Sequence, residues 1–84
     1  MKKRLASRFI VADPKICHGQ LTFRGTRILV SQVLELVAEG MSWDAIIKEC
    51  HGSISRAAIA DAIRSAGRAI VEHADEYRER PVSV

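Results

Sequence analysis

Apolar positions change their spacing along the chain. In the first third they come in short runs broken by turn residues: Phe9, Ile10 and Val11, then Leu21 and Phe23 about Thr22, then Ile28 to Val30 behind Arg27. β-branched and aliphatic runs of this length predict short strands. Asp13-Pro14 stops the first, because proline fixes φ and has no N–H for a ladder. Arg24-Gly25-Thr26 supplies the turn between the second and third.

From Ser31 the period becomes helical. Val33, Leu34, Leu36 and Val37 share one face, with Ser31 as expected N-cap and Gly40 beyond the end, which predicts a helix over 31–39. "MSWDAIIKECHG" repeats the grammar: Ser42 caps, Asp44 complements the helix dipole, Ile46 and Ile47 point inward and Gly52 stops a helix of about two turns. A third helix follows, capped by Ser53 or Ser55, with Ile59, Ile63, Ala66, Ile70 and Tyr77 within a narrow angular range. Its expected end is about Glu79, before Arg80-Pro81. The predicted fold class is mostly α: short N-terminal strands followed by a three-helix helix-turn-helix domain.

At 84 residues the chain has room for one small core, and a partner or a second copy is a reasonable source of added stability. The expected organisation is a basic tail over residues 1–7, one domain over 8–80 and a C-terminal tail over 81–84. With 48% hydrophobic and 27% charged residues the composition is that of a folded globular domain. The net charge of +3, part of it in "MKKR", permits nucleic acid without demanding it. Leu5 and Ala6 give way at once to Ser7 and Arg8, so no apolar stretch of signal-peptide or membrane-spanning length is seen, and a cytoplasmic location is expected. Cys17 and Cys50 are read as thiols on that account.

Three chemistries compete for the stretch "CHGQLTFRGTRILV", Cys17 to Val30. Catalysis by Cys17-His18 is disfavoured, since neighbours on an extended chain point to opposite faces, and neither His51 nor His73 completes an acid, base and oxyanion set. No enzyme activity is expected. A metal reading draws on the echo of Cys17-His18 in Cys50-His51, but adjacent ligands seldom converge, so no metal and no cofactor is expected. Gly19 and Gly25 lack the Gly-Lys-Ser/Thr ending of a phosphate loop. They suit tight turns between strands, and the stretch is read as scaffold. Thr26 and Arg27 are expected to tie it to the helical half through carbonyls, and the edge run Phe9 to Val11 could pair with a second copy.

The second half carries the sharper signal, a capped short helix, the turn "HGSIS" and a capped third helix. Outside the core stripe, Arg56, Ala57, Ala60, Arg64 and Arg68 group on an adjacent face. Small residues let a helix approach a groove and arginines reach guanine edges or phosphates. The expected DNA contacts are therefore Ser53, Ser55, Arg56, Ala60, Arg64 and Arg68. A competing reading makes this a solvated face, with Asp61 and Glu72 pairing to Arg64 and Arg68. Asp75, Glu76 and Glu79 turn the far end acidic, which leaves the first turns for phosphate.

In order along the chain stand Asp13-Pro14, Ile16-Cys17-His18-Gly19, Gly25-Thr26-Arg27-Ile28 with Val30, and Gly40. This series resembles the signature of a bacterial and archaeal domain-of-unknown-function family, the one numbered 433, from about Ile10 to Ala66. Asp13, Pro14, Cys17, His18, Gly19, Gly25, Thr26 and Arg27 are its motif residues here. Leu21 departs from the proline common among members, and the basic Arg56, Arg64 and Arg68 depart from a third helix that is often acidic. The resemblance implies an antitoxin-like protein that dimerises, binds double-stranded DNA at its own operator and masks a PIN-like ribonuclease toxin. Tyr77, Val82 and Val84 are the expected toxin contacts, as an amphipathic run and an extended end suited to a partner's groove or sheet edge. The alternatives are a protein-interaction and dimerisation module that does not bind DNA, and a small metal or thiol protein built on the two Cys-His pairs.

Overall fold

The computed structural model describes residues 7–79. Strand β1 (Ile10–Ala12) pairs antiparallel with β2 (Leu21–Phe23), in the register Ile10 to Phe23, Val11 to Thr22 and Ala12 to Leu21. Three helices follow, α1 (Val30–Ala38), α2 (Trp43–Glu49) and α3 (Arg56–Glu72). Two short strands leading into three helices match the expected fold class. None of the helices among these residues is long and apolar enough to cross a membrane.

The link between the strands is built from local hydrogen bonds. Asp13 accepts from the Lys15 N–H through its side chain and from the Ile16 N–H through its carbonyl, both at 2.9 Å, so Pro14 sits inside a turn closed by its predecessor. Cys17, His18 and Gly19 then wind a single left-handed turn, with φ of 51°, 58° and 82°. Only the glycine was an expected carrier of that geometry. A β-carbon disfavours it, so Cys17 and His18 hold a conformation that the surrounding bonds must impose.

The third run does not become a strand. Phe23 donates its N–H to the Ile28 carbonyl at 3.0 Å and Leu29 makes an isolated bridge with Thr22, but Val30 is already helical. Helix α1 therefore starts directly out of an extended segment, with Leu29 at the cap and no side-chain cap bond. The expected N-cap, Ser31, lies inside the helix, because the tertiary bridge at Leu29 sets the start.

The other helix ends obey local chemistry. Ser42 accepts from the Ala45 N–H and Ser55 from the Ala58 N–H, each at 3.1 Å, which settles the third cap on Ser55. Gly40, with φ of 92°, closes α1 by donating to Val37 while Met41 donates to Leu36, a Schellman ending. The ending of α2 has the same bonds, His51 to Lys48 and Gly52 to Ile47. Here the left-handed residue after the cap is His51, φ 55°, so the stop falls one position before the expected glycine.

The core lies where the sheet and the three helices meet. It consists of Phe23, Val30, Val33, Ile46, Ile54, Ala58, Ile59 and Ala62, with Phe9, Leu36, Trp43 and Ile63 packed around it. The stripe on α3 is buried only in its first half. Ile59 is fully buried and Ile63 and Ala66 half-buried, whereas Ile70, expected in the core, is exposed, as is Tyr77 on the same stripe. The helix also ends at Glu72 rather than near Glu79, and a short 3-10 turn, Ala74–Tyr77, follows. Beyond Ala66 no core contact rewards the helix, and Asp75 and Glu76 oppose its C-terminal dipole.

Candidate nucleic-acid interface

Helices α2 and α3 with the turn between them form the helix-turn-helix unit. The turn is fixed at both ends, by the Schellman bonds after α2 and by Ser55 before α3. In its middle Ile54 is only 6% exposed and anchors the turn in the core. Sequence reasoning passed over Ile54 because an isolated isoleucine between serines has no periodic partner.

Each expected DNA contact has a definite place. Ser53 and Ser55 are exposed on the turn, with the Ser55 hydroxyl engaged as cap. Arg56 leaves the first turn of α3 toward α2: its Nη1 is 2.6 Å from Asp44 Oδ1 and its guanidinium lies 5.3 Å from the centre of the Trp43 ring. Both members of that pair are well exposed, so it adds little stability and chiefly sets the direction of the arginine. Ala57 is exposed and Ala60 half-buried, while Arg64 and Arg68 are exposed.

The surface pairs that would explain those arginines as an ordinary solvated face are not formed. Asp61 accepts a 2.6 Å hydrogen bond from the Ser7 hydroxyl instead. Arg68 reaches only Ser65 Oγ, at 3.4 Å, and neither Arg64 nor Arg68 is in ion-pair contact with Asp61 or Glu72. Beyond Glu72 the chain pairs within itself, His73 with Glu76 at 3.3 Å and Arg78 with Asp75 at 3.6 Å.

The motif residues of the first third bond among themselves and with the neighbouring turns. Thr26 donates to the Phe23 carbonyl and accepts from the Ile28 N–H, at 2.8 and 2.9 Å, so it closes its own turn and makes no tie to the helices. Arg24 makes the longer link, donating to the carbonyls of Arg8 and Ser7. The Cys17 thiol points at the Arg27 carbonyl, 3.7 Å away. Between Gly25–Ile28 and the end of α2 lies an open groove of about 560 Å³, where Arg27 and Gln32 meet Glu49, Cys50 and His51. Both cysteines are free thiols, and burial, helped by the Glu49 carboxylate, pushes the Cys50 thiol up from its ordinary value. Among the described residues no three His, Cys, Asp or Glu side chains gather as metal ligands.

Of the expected toxin contacts, Tyr77 is exposed in the last 3-10 turn, and Val82 and Val84 lie outside the described residues. A family model described as "Protein of unknown function (DUF433)" matches residues 10–66, from the first strand into the middle of α3. No curated protein and no solved structure matches the chain.

Proposed function

The chain belongs to the DUF433 family, whose model covers well over half of its 84 residues, and on that premise we propose that it is a DNA-binding, antitoxin-like regulator. The observation that carries the reading is the outer face of α3. Exposed Arg64 and Arg68 are left unpaired by the nearest carboxylates, small residues lie between them and the capped turn, and a helix-turn-helix scaffold presents the whole. In this reading the first turns of α3 enter the major groove, Ala57 and Ala60 allow close approach, and Arg56, Arg64 and Arg68 reach base edges or phosphates, with Ser53 and Ser55 at the backbone. The toxin half rests on the family resemblance alone: Tyr77 and the C-terminal segment would hold a PIN-like ribonuclease.

Fluorescence anisotropy against duplex DNA from the region upstream of its own gene, beside a shuffled duplex, tests the first half at two salt concentrations. Preferential binding that survives near-physiological salt and weakens at least tenfold in Arg64→Ala is the expected result. Equal weak binding to both duplexes that vanishes with salt would leave only generic charge attraction. Ribonuclease inhibition by the full chain, lost on truncation at His73, tests the second half.

A second reading has its own support. Ile70, Val71 and Tyr77 are exposed to 54%, 74% and 69%, which suits a protein-interaction module that binds no DNA.

A further inference from the structure

The open end of the strand pair carries two arginines that the reading of α3 leaves out. The register that sets Ile10 against Phe23 continues by one bond, from the Arg24 N–H to the Phe9 carbonyl at 2.7 Å, so Arg8 and Arg24 come together where β1 begins and β2 ends. Arg24 donates from Nε to the Arg8 carbonyl at 3.1 Å and from Nη2 to the Ser7 carbonyl at 2.9 Å. The Arg8 guanidinium lies 5.7 Å from the centre of the Phe9 ring.

These contacts orient both side chains without neutralising them, because neither a carbonyl nor an aromatic face carries net charge. Both arginines are exposed, and among the described residues neither has a carboxylate in ion-pair contact. Nη1 of Arg24 keeps its donors unused there. The corner therefore holds two positive charges in set directions.

That corner adjoins the helix-turn-helix unit in two places. Phe9 and Arg24 form one wall of a crevice of about 280 Å³, and Gly52 to Ser55 with Ala58 form the other. Ser7, next to Arg8, is held to Asp61 in the middle of α3. At 100° per residue Asp61 stands about 20° from Arg68 and about 60° from Arg64, so the start of β1 runs along the flank of the face that carries them. Arg56 lies on the other flank, turned toward Asp44 of α2. A helix in the major groove is bordered by sugar-phosphate backbone, and contacts there fix its register without reading sequence.

We propose that the hairpin corner is a second contact for DNA, in which Arg8 and Arg24 hold the phosphate backbone beside the groove that α3 enters. The inference rests on the DNA-binding reading and adds a separate element to it: α3 reads the bases, and the corner supplies affinity that is blind to sequence. Lys15 provides the contrast. It too is exposed and without an ion pair among the described residues, but it stands in the link at the far end of the ladder, beyond Ala12 and Leu21.

Fluorescence anisotropy with the upstream duplex and its shuffled control, from about 50 to about 200 mM salt, compares the full chain with Arg8→Ala, Arg24→Ala and Lys15→Ala. Each variant removes one positive charge. A phosphate contact adds about 0.9 to the salt slope, which amounts to a factor of about 15 in affinity at about 50 mM and about 4 at about 200 mM. Arg8→Ala and Arg24→Ala should each weaken binding to both duplexes by about those factors and lower the slope by about one, with the preference for the upstream duplex kept. Lys15→Ala should alter neither. Arg24→Ala also removes two bonds that brace the hairpin, so Arg24→Lys is the second variant: it keeps the charge and loses the fork, and it should keep the slope whatever its melting temperature. If Arg8→Ala and Arg24→Ala weaken binding no more than Lys15→Ala does, while the unaltered chain binds the upstream duplex, this inference falls alone. Loss of the preference in either variant overturns it too, by placing the arginine at bases. No binding by the unaltered chain overturns the DNA-binding reading and this inference with it.

Discussion

Ser7 and Asp61, 54 positions apart, are joined by a 2.6 Å hydrogen bond in which the serine hydroxyl donates to the carboxylate. The same hydroxyl accepts from the N–H groups of Phe9 and Ile10, at 3.1 and 3.0 Å, and the Ser7 carbonyl accepts from Arg24 Nη2 at 2.9 Å. One small residue therefore ties the start of β1, the turn after β2 and the middle of α3. A hydrogen bond to a charged group contributes about 1.5–3 kcal/mol, less where water competes, as at this half-buried site. Ser7→Ala is expected to cost about 1–2 kcal/mol in urea unfolding. The cycle with Asp61→Ala should show a coupling of about 0.5 kcal/mol or more; strictly additive losses would mean that the two side chains act apart.

Thr22 is fully buried in β2 and its Oγ1 has no hydrogen-bond partner in the described structure. A buried hydroxyl without a partner carries a desolvation cost of about 1–3 kcal/mol. Thr22→Val keeps the branched shape and removes the hydroxyl, so it should stabilise by about 1 kcal/mol and raise the melting temperature by several degrees. A lower melting temperature would show that the hydroxyl is satisfied.

His51 holds the left-handed position that ends α2, and its side chain is exposed. Glycine removes the steric cost of that conformation, about 1–2 kcal/mol, and gives back part of it as chain entropy. His51→Gly should therefore stabilise by about 0.5–1 kcal/mol, whereas Gly40→Ala, at a φ of 92° with open space around it, should destabilise by about 1 kcal/mol. A lower melting temperature for His51→Gly would show that His51 is retained for packing.

Asp44 holds Arg56 by a solvent-exposed pair at the edge of the proposed interface. Asp44→Ala removes a negative charge from a surface meant for phosphate and frees the arginine, with little effect on folding. On the DNA-binding reading, affinity in low salt should rise ~3- to 10-fold and the salt slope should steepen by about one counterion. If neither Asp44→Ala nor Arg56→Ala changes binding, Arg56 lies outside the contact.

Where a structural decision is local, the sequence announces it. Ser42 and Ser55 each stand three residues before the N–H they cap, and Gly40 carries the left-handed backbone that no β-carbon favours, so those helix ends could be read directly. Decisions made by distant partners leave no such mark. Nothing around Ser7 says that it meets Asp61, nothing in "RILV" says that a bridge to Thr22 will start a helix at Val30, and Cys17, His18 and His51 take left-handed geometry that their types disfavour. The candidate face on α3 was legible as periodicity. Its length was not, because a helical stripe shows which residues could be covered and not where the cover stops.

The uncapped start of α1 ties the stability of that helix to the strand pair before it. A nine-residue helix with no cap bond is far below the length at which helices persist alone, whereas α2 and α3 carry serine caps of their own. The Thr22–Leu29 bridge and the Phe23–Ile28 bond fix the extended segment that leads into the first turn of α1. Native-state hydrogen exchange should then show the amides of β2 and the first turn of α1 opening together, at a lower free energy than those in the first half of α3. Independent exchange of the two would sever that link. Seen in this way, the hairpin is less an ornament on a helical bundle than the template on which its first helix is cast.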